Sequence, residues 1–138
     1  MKRLLLVLSV IALVAGTSAV TSAQVKKGKT RLMTTKQLMA GLVQPHCKGL
    51  GDALKTEPTD DKAWTDLAVK AALLNESSYT MMDDGRCPDG VWKDACDKLR
   101  SGSEALHAKL EAKDFAGAQA AFKDVTASCG ICHKAHKK

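Results

Sequence analysis

From residue 35 onwards, apolar residues recur at steps of three and four residues in four separate stretches. This spacing is typical of helices that bury one face. The clearest stretch begins after Asp60, a suitable N-cap, and ends at Asp83-Asp84-Gly85. Its apolar and small positions are Trp64, Leu67, Ala68, Ala71, Leu74, Asn75, Ser78, Met81 and Met82. A long amphipathic helix is predicted over this stretch.

A shorter helix is predicted before it, from about Thr35 to Cys47, with Thr34 or Thr35 as its N-cap. Pro45 should kink or loosen its last turn because proline has no N–H to donate. We expect the helix to stop at Lys48-Gly49. Its apolar side carries Met39, Leu42 and Val43.

Two more helices are predicted in the second half of the chain. The third opens at Cys87-Pro88-Asp89 and passes through Gly102, which weakens it without breaking it. Its stripe is Trp92, Ala95, Leu99, Leu106 and Leu110. The fourth starts at Asp114, and its buried face carries Phe115, Ala118, Phe122, Val125, Cys129, Cys132 and His133.

The predicted fold class is all-α, because residues 24–138 show no sustained alternation of β-branched residues. Four amphipathic helices with mostly short connections predict an antiparallel up-down-up-down four-helix bundle. Aromatic residues make up 4% of the chain, which is thin for a core of this size. A large apolar cofactor would fill what side chains leave open.

The N-terminal residues have the pattern of a secretory signal peptide: two basic residues, an apolar run and a small-residue cleavage site. Cleavage after Ala23 divides the chain into a leader, 1–23, and one domain, 24–138; a retained membrane anchor would need a longer apolar run. The formal charge of the whole chain is +6. Removal of the leader would remove the positive charges of Lys2 and Arg3. This modest charge, without a basic stripe interleaved with aromatic residues, argues against nucleic-acid binding.

The chain has five cysteines, and an odd number in an exported chain leaves at least one thiol outside any set of internal disulfides. Two of them fall in Cys129-Gly130-Ile131-Cys132-His133, the C-x-x-C-H spacing that attaches c-type haem. In a helix-like turn both thiols reach the vinyl groups on one porphyrin edge, and the adjacent imidazole binds the iron. The motif predicts one covalent haem c, with His133 as the proximal ligand.

Three other uses of these residues compete with haem. Zinc could take Cys129, Cys132, His133 and a fourth ligand such as His136, although structural zinc modules usually present two separated ligand pairs. A thioredoxin-like dithiol would need a βαβ frame, for which the chain shows no pattern. A structural disulfide would leave His133 without a role. Haem accounts for all three motif residues.

A four-helix bundle with this motif near its C-terminus resembles the cytochrome c′ family, and is closer to its low-spin, Met-ligated members. The resemblance covers essentially the whole of residues 24–138. Its specific parts are Lys36-Gln37 leading into Met39, Trp92 near the start of the third helix, Asp114-Phe115, Phe122-Lys123-Asp124-Val125, Cys129 and His133. Attachment of haem outside the bacterial inner membrane, which the resemblance implies, agrees with export.

The resemblance also implies that a residue of the first helix faces the other side of the iron. Counting back from Lys48-Gly49 indicates Met33, whereas the family's basic-Gln-x-x-Met pattern, here one residue short, indicates Met39. Met39 lies on the apolar stripe, while Met33 is about 120° around the axis and precedes the N-cap. Both could instead be packing residues. We expect Met39 to be the second metal ligand, and thioether ligation raises the reduction potential.

The remaining histidines are expected to lie on the surface. His136 is about one turn beyond His133 on the same helix. A solvated cation at this position is stabilised by the helix dipole. His46 and His107 lie near the far ends of the first and third helices, and both should be remote from the iron.

Cys47, Cys87 and Cys96 depart from the minimal family pattern. A third helix continuous from Cys87 would separate its Cα from that of Cys96 by roughly 13 Å, beyond disulfide reach. A helix that began only after Gly90 would leave that bridge open. Cys47 is expected at the opposite end of the bundle from Cys87, and we expect free thiols at all three positions.

The function implied is that of a periplasmic electron carrier and not an enzyme, because the iron does the chemistry and no side chain is catalytic. Its partners would be redox proteins of the periplasm or inner membrane. The resemblance also allows a homodimer formed through the first two helices, as in some relatives. The positive charges of Lys134, Lys137 and Lys138 would stabilise the C-terminus of the last helix. They would also attract an acidic redox partner toward the nearby haem edge. The alternative is a haem protein with an open or displaceable site that binds a gas such as nitric oxide.

Overall fold

The computed structural model describes residues 28–137, and within that range the chain is all-helical without a β-strand. Three consecutive segments form the first helix, α1: an α-helix over Thr35–Leu38, a π-helical turn over Met39–Val43 and an α-helix over Gln44–Ala53. The others are α2 (Asp61–Met82), α3 (Gly90–Glu111) and α4 (Phe115–His136). The predicted all-α class is confirmed.

The predicted leader, 1–23, lies outside the described residues. Within residues 28–137, no helix combines the length and the apolar character that crossing a bilayer requires.

Each helix starts at a residue whose side chain accepts a backbone N–H, which satisfies a donor that the first turn leaves free. Thr34 and Gln37 form a reciprocal capping box at α1. Asp60, Asp89 and Asp114 cap α2, α3 and α4 in the same way. The starts predicted after Thr34, Asp60 and Asp114 are therefore confirmed.

The end predicted for α1 at Lys48-Gly49 is wrong, because the helix continues to Ala53. Pro45 cannot donate to the carbonyl four residues earlier. In the turn just before it, the Gln44 N–H bonds to the Met39 carbonyl five residues back. This wider π turn lets the helix pass through the proline.

The start predicted for α3 is also too early. The helix begins at Gly90, after the Asp89 cap, and leaves Cys87 outside. Pro88 disfavours the helical conformation in the residue before it, which is Cys87. The separation of about 13 Å that a continuous helix would give these two cysteines therefore does not apply.

The core is built from the predicted stripes. Fully buried side chains include Leu50, Leu74, Leu106, Leu110, Val125 and Trp92, and each such leucine contributes roughly 1.5–3 kcal/mol by leaving water. α1 packs mainly on α2, α2 on α3 and α3 on α4. At Gly102, a Cβ would lie 3.3 Å from the Val125 backbone nitrogen, so this glycine permits the close approach of α3 and α4.

The two tryptophans, which lie on the predicted stripes, are buried. The Trp92 indole donates to the Met81 carbonyl over 2.9 Å. Tyr79 lies off the stripe of α2 and is 47% exposed, and the Arg100 guanidinium stacks on its ring at 3.9 Å.

The segment before α1 is fastened to the turn between α2 and α3. The Asp84 carboxylate accepts the backbone N–H groups of Thr30 and Arg31, both at 2.9 Å. The buried Arg86 guanidinium donates to the Met33 carbonyl over 2.9 Å. Asp84 has a φ of 60° and Gly85 one of 75°, the left-handed conformation that this tight turn requires.

Candidate cofactor site

A cavity of about 510 Å³ lies between α1, α3 and α4, and Met81 of α2 also lines it. Its size falls within the usual range for ligand cavities, roughly 300–1,000 Å³. The four residues predicted to hold haem all line it: Met39, Cys129, Cys132 and His133. They are thus brought together, although Met39 is far from the motif in the chain.

Helical periodicity explains why α1 and α4 present these residues to one space. On α1 the lining residues fall in neighbouring pairs four positions apart, namely 35 and 36, 39 and 40, 43 and 44, and 47 and 48. On α4 and its C-cap, Lys137, they are 128 and 129, 132 and 133, and 136 and 137. Residues at this spacing share a helix face, so each helix contributes one continuous wall.

The cavity has an apolar wall and a positively charged rim. Its apolar part is formed mainly by Val43, Met81, Trp92, Ala95 and Leu99. Lys36, Lys48 and Lys137 also line it, and none of the described lining residues is acidic.

Such a lining suits a large apolar group that carries negative charge. Haem is such a group, since it is an apolar macrocycle with carboxylate substituents. The donor set of two thiols, an imidazole and a thioether also fits a c-type haem.

The motif residues differ in burial. Cys132 is buried and 9% exposed, Cys129 is half-buried, and His133 is exposed at the mouth of the cavity. Partial desolvation, helped by the positive charge of Lys137, lowers the pKa of His133. A lowered pKa favours the neutral imidazole, which is the form that binds a metal.

The motif cysteines each lie near a cysteine of another helix. A hydrogen bond with Cys47 lowers the pKa of Cys129, and the same interaction raises the pKa of Cys47. Burial, together with the nearby Cys132 and Cys87, raises the pKa of Cys96 to about 12. Burial, with Cys129 nearby, raises the pKa of Cys132 to about 11. All five cysteines are free thiols in this structure.

One expectation about the other cysteines is wrong. Cys47 was expected at the far end of the bundle from Cys87, but it lines the same cavity as Cys96 and interacts with Cys129. Because α3 begins only at Gly90, Cys87 lies near enough for its charge to raise the pKa of Cys96, and both cysteines are free thiols. A sequence signal for Cys47 existed, since it lies four residues after Val43 and eight after Met39.

The two candidate methionines have different surroundings. Met39 lies in the π turn, is half-buried and lines the cavity. Met33 is 43% exposed and lies in the segment fastened by Arg86, outside the cavity lining. Ligation by Met39 stays a prediction.

His136 is not the solvated residue that was expected. Its side chain is 11% exposed, and its Nε2 lies 3.4 Å from an Asp89 carboxylate oxygen. Its ring packs edge-on against Trp92, and it lines the cavity. His46 and His107 do not line the cavity, and the His107 Nδ1 lies 3.5 Å from the Glu111 carboxylate.

Within residues 28–137, no three or more His, Cys, Asp or Glu side chains are grouped closely enough to hold a metal ion by themselves. A c-type haem does not require such a group, because its thiols bond to the porphyrin and its iron needs one or two axial ligands.

Comparisons with known proteins add no relative: no family model, no curated protein and no solved structure matches this chain.

Proposed function

We propose that this chain is a periplasmic, mono-haem c-type cytochrome that carries single electrons between redox proteins of the periplasm or inner membrane. The observation that carries the proposal is the convergence of Met39, Cys129, Cys132 and His133 on one cavity. The C-x-x-C-H spacing supports haem over zinc or a simple dithiol. The resemblance to the cytochrome c′ family supports the same function and an antiparallel up-down-up-down bundle.

Each residue has a separate role in this proposal. Cys129 and Cys132 would form the thioether bonds, His133 would be the proximal ligand and Met39 the distal one. Bound haem would supply one-electron chemistry at its iron. Val43, Trp92 and Leu99 would exclude water from it, and Lys36 and Lys137 would face its carboxylates. No side chain needs to act as a catalytic acid or base.

One observation favours the alternative function, a haem protein with a displaceable distal residue that binds a diatomic gas. Met39 is carried on a π turn, a conformation that is rare in helices and common at functional sites. Carbon monoxide binding separates the two functions: a carrier with firm Met39 ligation binds it poorly, whereas a gas-binding protein binds it readily in the reduced state.

The test of the proposal is expression of the full chain in a host that attaches c-type haem, followed by optical spectra in both oxidation states. We expect a Soret band in the wild-type protein and in Cys96→Ser, a matched control that leaves the motif intact. Cys129→Ser and Cys132→Ser should each lose one thioether bond, and the double variant should lose covalent haem. Colourless wild-type protein from such a host would overturn the proposal.

A further inference from the structure

Helix α1 meets α4 through a series of contacts that leads to Cys47. The Gln119 side-chain amide donates to the Leu54 carbonyl over 2.8 Å. One turn earlier on α1, the Gly51 backbone lies against Phe122, so that a Cβ there would be 3.4 Å from the ring. Cys47 is one further turn back on α1, and it meets Cys129, which is further along α4.

The geometry at this point suits a covalent link between the helices. Some Cα atoms of the Gln44–Ala53 part of α1 lie within 8 Å of Cα atoms of α4, so the two helices are direct neighbours along this contact. Cys47 and Cys129 are both half-buried and line one cavity, and they lie near enough for each thiol to shift the pKa of the other. The two thiols are therefore neighbours in the folded chain.

We propose that, before haem is attached, Cys47 and Cys129 form a disulfide that ties α1 to α4 and withholds Cys129 from haem. The second part rests on the proposed function, since a thioether bond at Cys129 requires its free thiol. Reduction of this disulfide by a dithiol, which is itself oxidised to a disulfide, would free Cys129 for haem attachment and leave Cys47 as a free thiol beside the cofactor.

The step is a two-electron oxidation. The S–H bonds of Cys47 and Cys129 break, one S–S bond forms, and two protons and two electrons leave. The oxidant is a disulfide of a periplasmic thiol oxidase or, in the test, oxidised glutathione, which is reduced to two thiols. A dithiol reductant reverses the reaction through a mixed disulfide.

Two other pairs compete for the same sulfur atoms. Cys132 lies on the same helix as Cys129, one turn away, so their disulfide would form within α4 and would not involve Cys47. Cys96 and Cys132 are both buried, and burial slows attack on a disulfide oxidant. Cys129 is the motif cysteine with a half-buried cysteine neighbour on another helix, and the interaction with Cys47 lowers the pKa of Cys129.

Trypsin makes the test direct, because its sites divide the cysteines among four peptides. Cys47 falls in 37–48, Cys87 in 87–93, Cys96 in 94–98, and the two motif cysteines together in 124–134. The haem-free chain, 24–138, is incubated with oxidised glutathione, alkylated and digested. We expect 37–48 joined to 124–134, with fragmentation between Cys129 and Cys132 assigning the bond to Cys129.

Variants and the haem-bearing protein sharpen this result. The link should persist in Cys132→Ser and Cys96→Ser and vanish in Cys47→Ser and Cys129→Ser. In the haem-bearing protein Cys47 should be alkylated, at least about tenfold more than in the oxidised haem-free chain.

A Cys129–Cys132 bond in the wild-type chain, with Cys47 fully alkylated, would overturn the inference, as would a link from 94–98 to 124–134 in its place. The wild-type map decides this without any variant. A chain that never attaches haem refutes the proposed function and leaves the map to decide the disulfide alone.

Discussion

His136 of α4 packs edge-on against Trp92 of α3, with ring centroids 5.3 Å apart. The Trp92 indole is held in turn by the Met81 carbonyl of α2. The Asp89 carboxylate that lies near His136 also caps α3 by accepting the Trp92 N–H. One wall of the cavity is thus assembled from three helices around a single tryptophan.

His136→Ala should therefore destabilise the protein, although His136 is close to the end of the last helix. An aromatic pair of this kind contributes roughly 0.5–1.5 kcal/mol beyond the area that it buries, so we expect a loss of about 1 kcal/mol or slightly more in urea unfolding. His107→Ala is the control, because His107 lies on α3 outside the cavity lining. It should change the free energy of unfolding by less than about 0.5 kcal/mol. Equal effects of the two variants would show that the Trp92 contact adds nothing.

Stability should fall in acid because of Asp84. Hydrogen bonds from the Arg31 and Thr30 backbone lower its pKa to about 2, and the nearby Arg86 charge acts in the same direction. The interactions that lower this pKa stabilise the fold fully at pH values above the pKa of the same carboxyl in the unfolded chain, which is near 4. That stabilisation disappears as the pH falls through about 2. Melting temperatures between pH 5 and pH 2 would measure it.

Asp84→Asn is the matched variant, since asparagine also adopts the left-handed conformation of this turn. It should lower the melting temperature at pH 5 and flatten the loss between pH 4 and pH 2. Asp124→Asn, at an exposed position of α4, should leave the curve as it is. A wild-type slope retained in Asp84→Asn would assign the acid sensitivity to other carboxylates.

Gly102 should tolerate no large side chain. A Cβ there would already lie 3.3 Å from the backbone of Val125, so Gly102→Leu would push α3 and α4 apart and cost about 1–3 kcal/mol. Gly90→Ala is the control, because nothing lies within 4 Å of its Cβ position. Chemical unfolding of both variants checks the prediction, and a Gly102→Leu protein as stable as wild type would contradict the close helix contact.

The distal ligand is tested by two single variants of the haem-bearing protein. Met39→Ala should convert a low-spin spectrum to high-spin and allow carbon monoxide to bind the reduced iron, because the thioether is lost from the cavity. Met33→Ala should change neither, since Met33 lies outside the cavity lining. A low-spin spectrum unchanged in Met39→Ala would remove Met39 from the ligand set.

The helices were largely predictable because they depend on local patterns. The Asp60 cap and the stripe from Trp64 to Met81 define α2 in the sequence alone. The π turn at Met39 and the continuation of α1 beyond Lys48-Gly49 to Ala53 were not predictable in this way, because tertiary packing outweighs the local preference of proline and glycine. Gly51, which would end or weaken an isolated helix, instead lets α1 lie against Phe122.

The candidate site also has a part that is predictable from local sequence and a part that depends on tertiary packing. The C-x-x-C-H motif is contiguous in sequence, so its chemistry could be inferred without a structure. The positions of Cys47 and His136 depend on the register between helices, which hydrophobic periodicity does not specify. Cys47 shares the wall with Met39 because lining residues recur every four positions, from Met39 through Val43 to Cys47, across the π turn and the α-helix that follows it.

The central claim, covalent haem on the last helix, is tested most directly by mass spectrometry of the tryptic peptide 124–134 from protein made in a haem-attaching host. The account predicts that this peptide carries one haem, bonded through Cys129 and Cys132, and that no other peptide does. A peptide 124–134 recovered without haem, with both thiols open to alkylation, would contradict it.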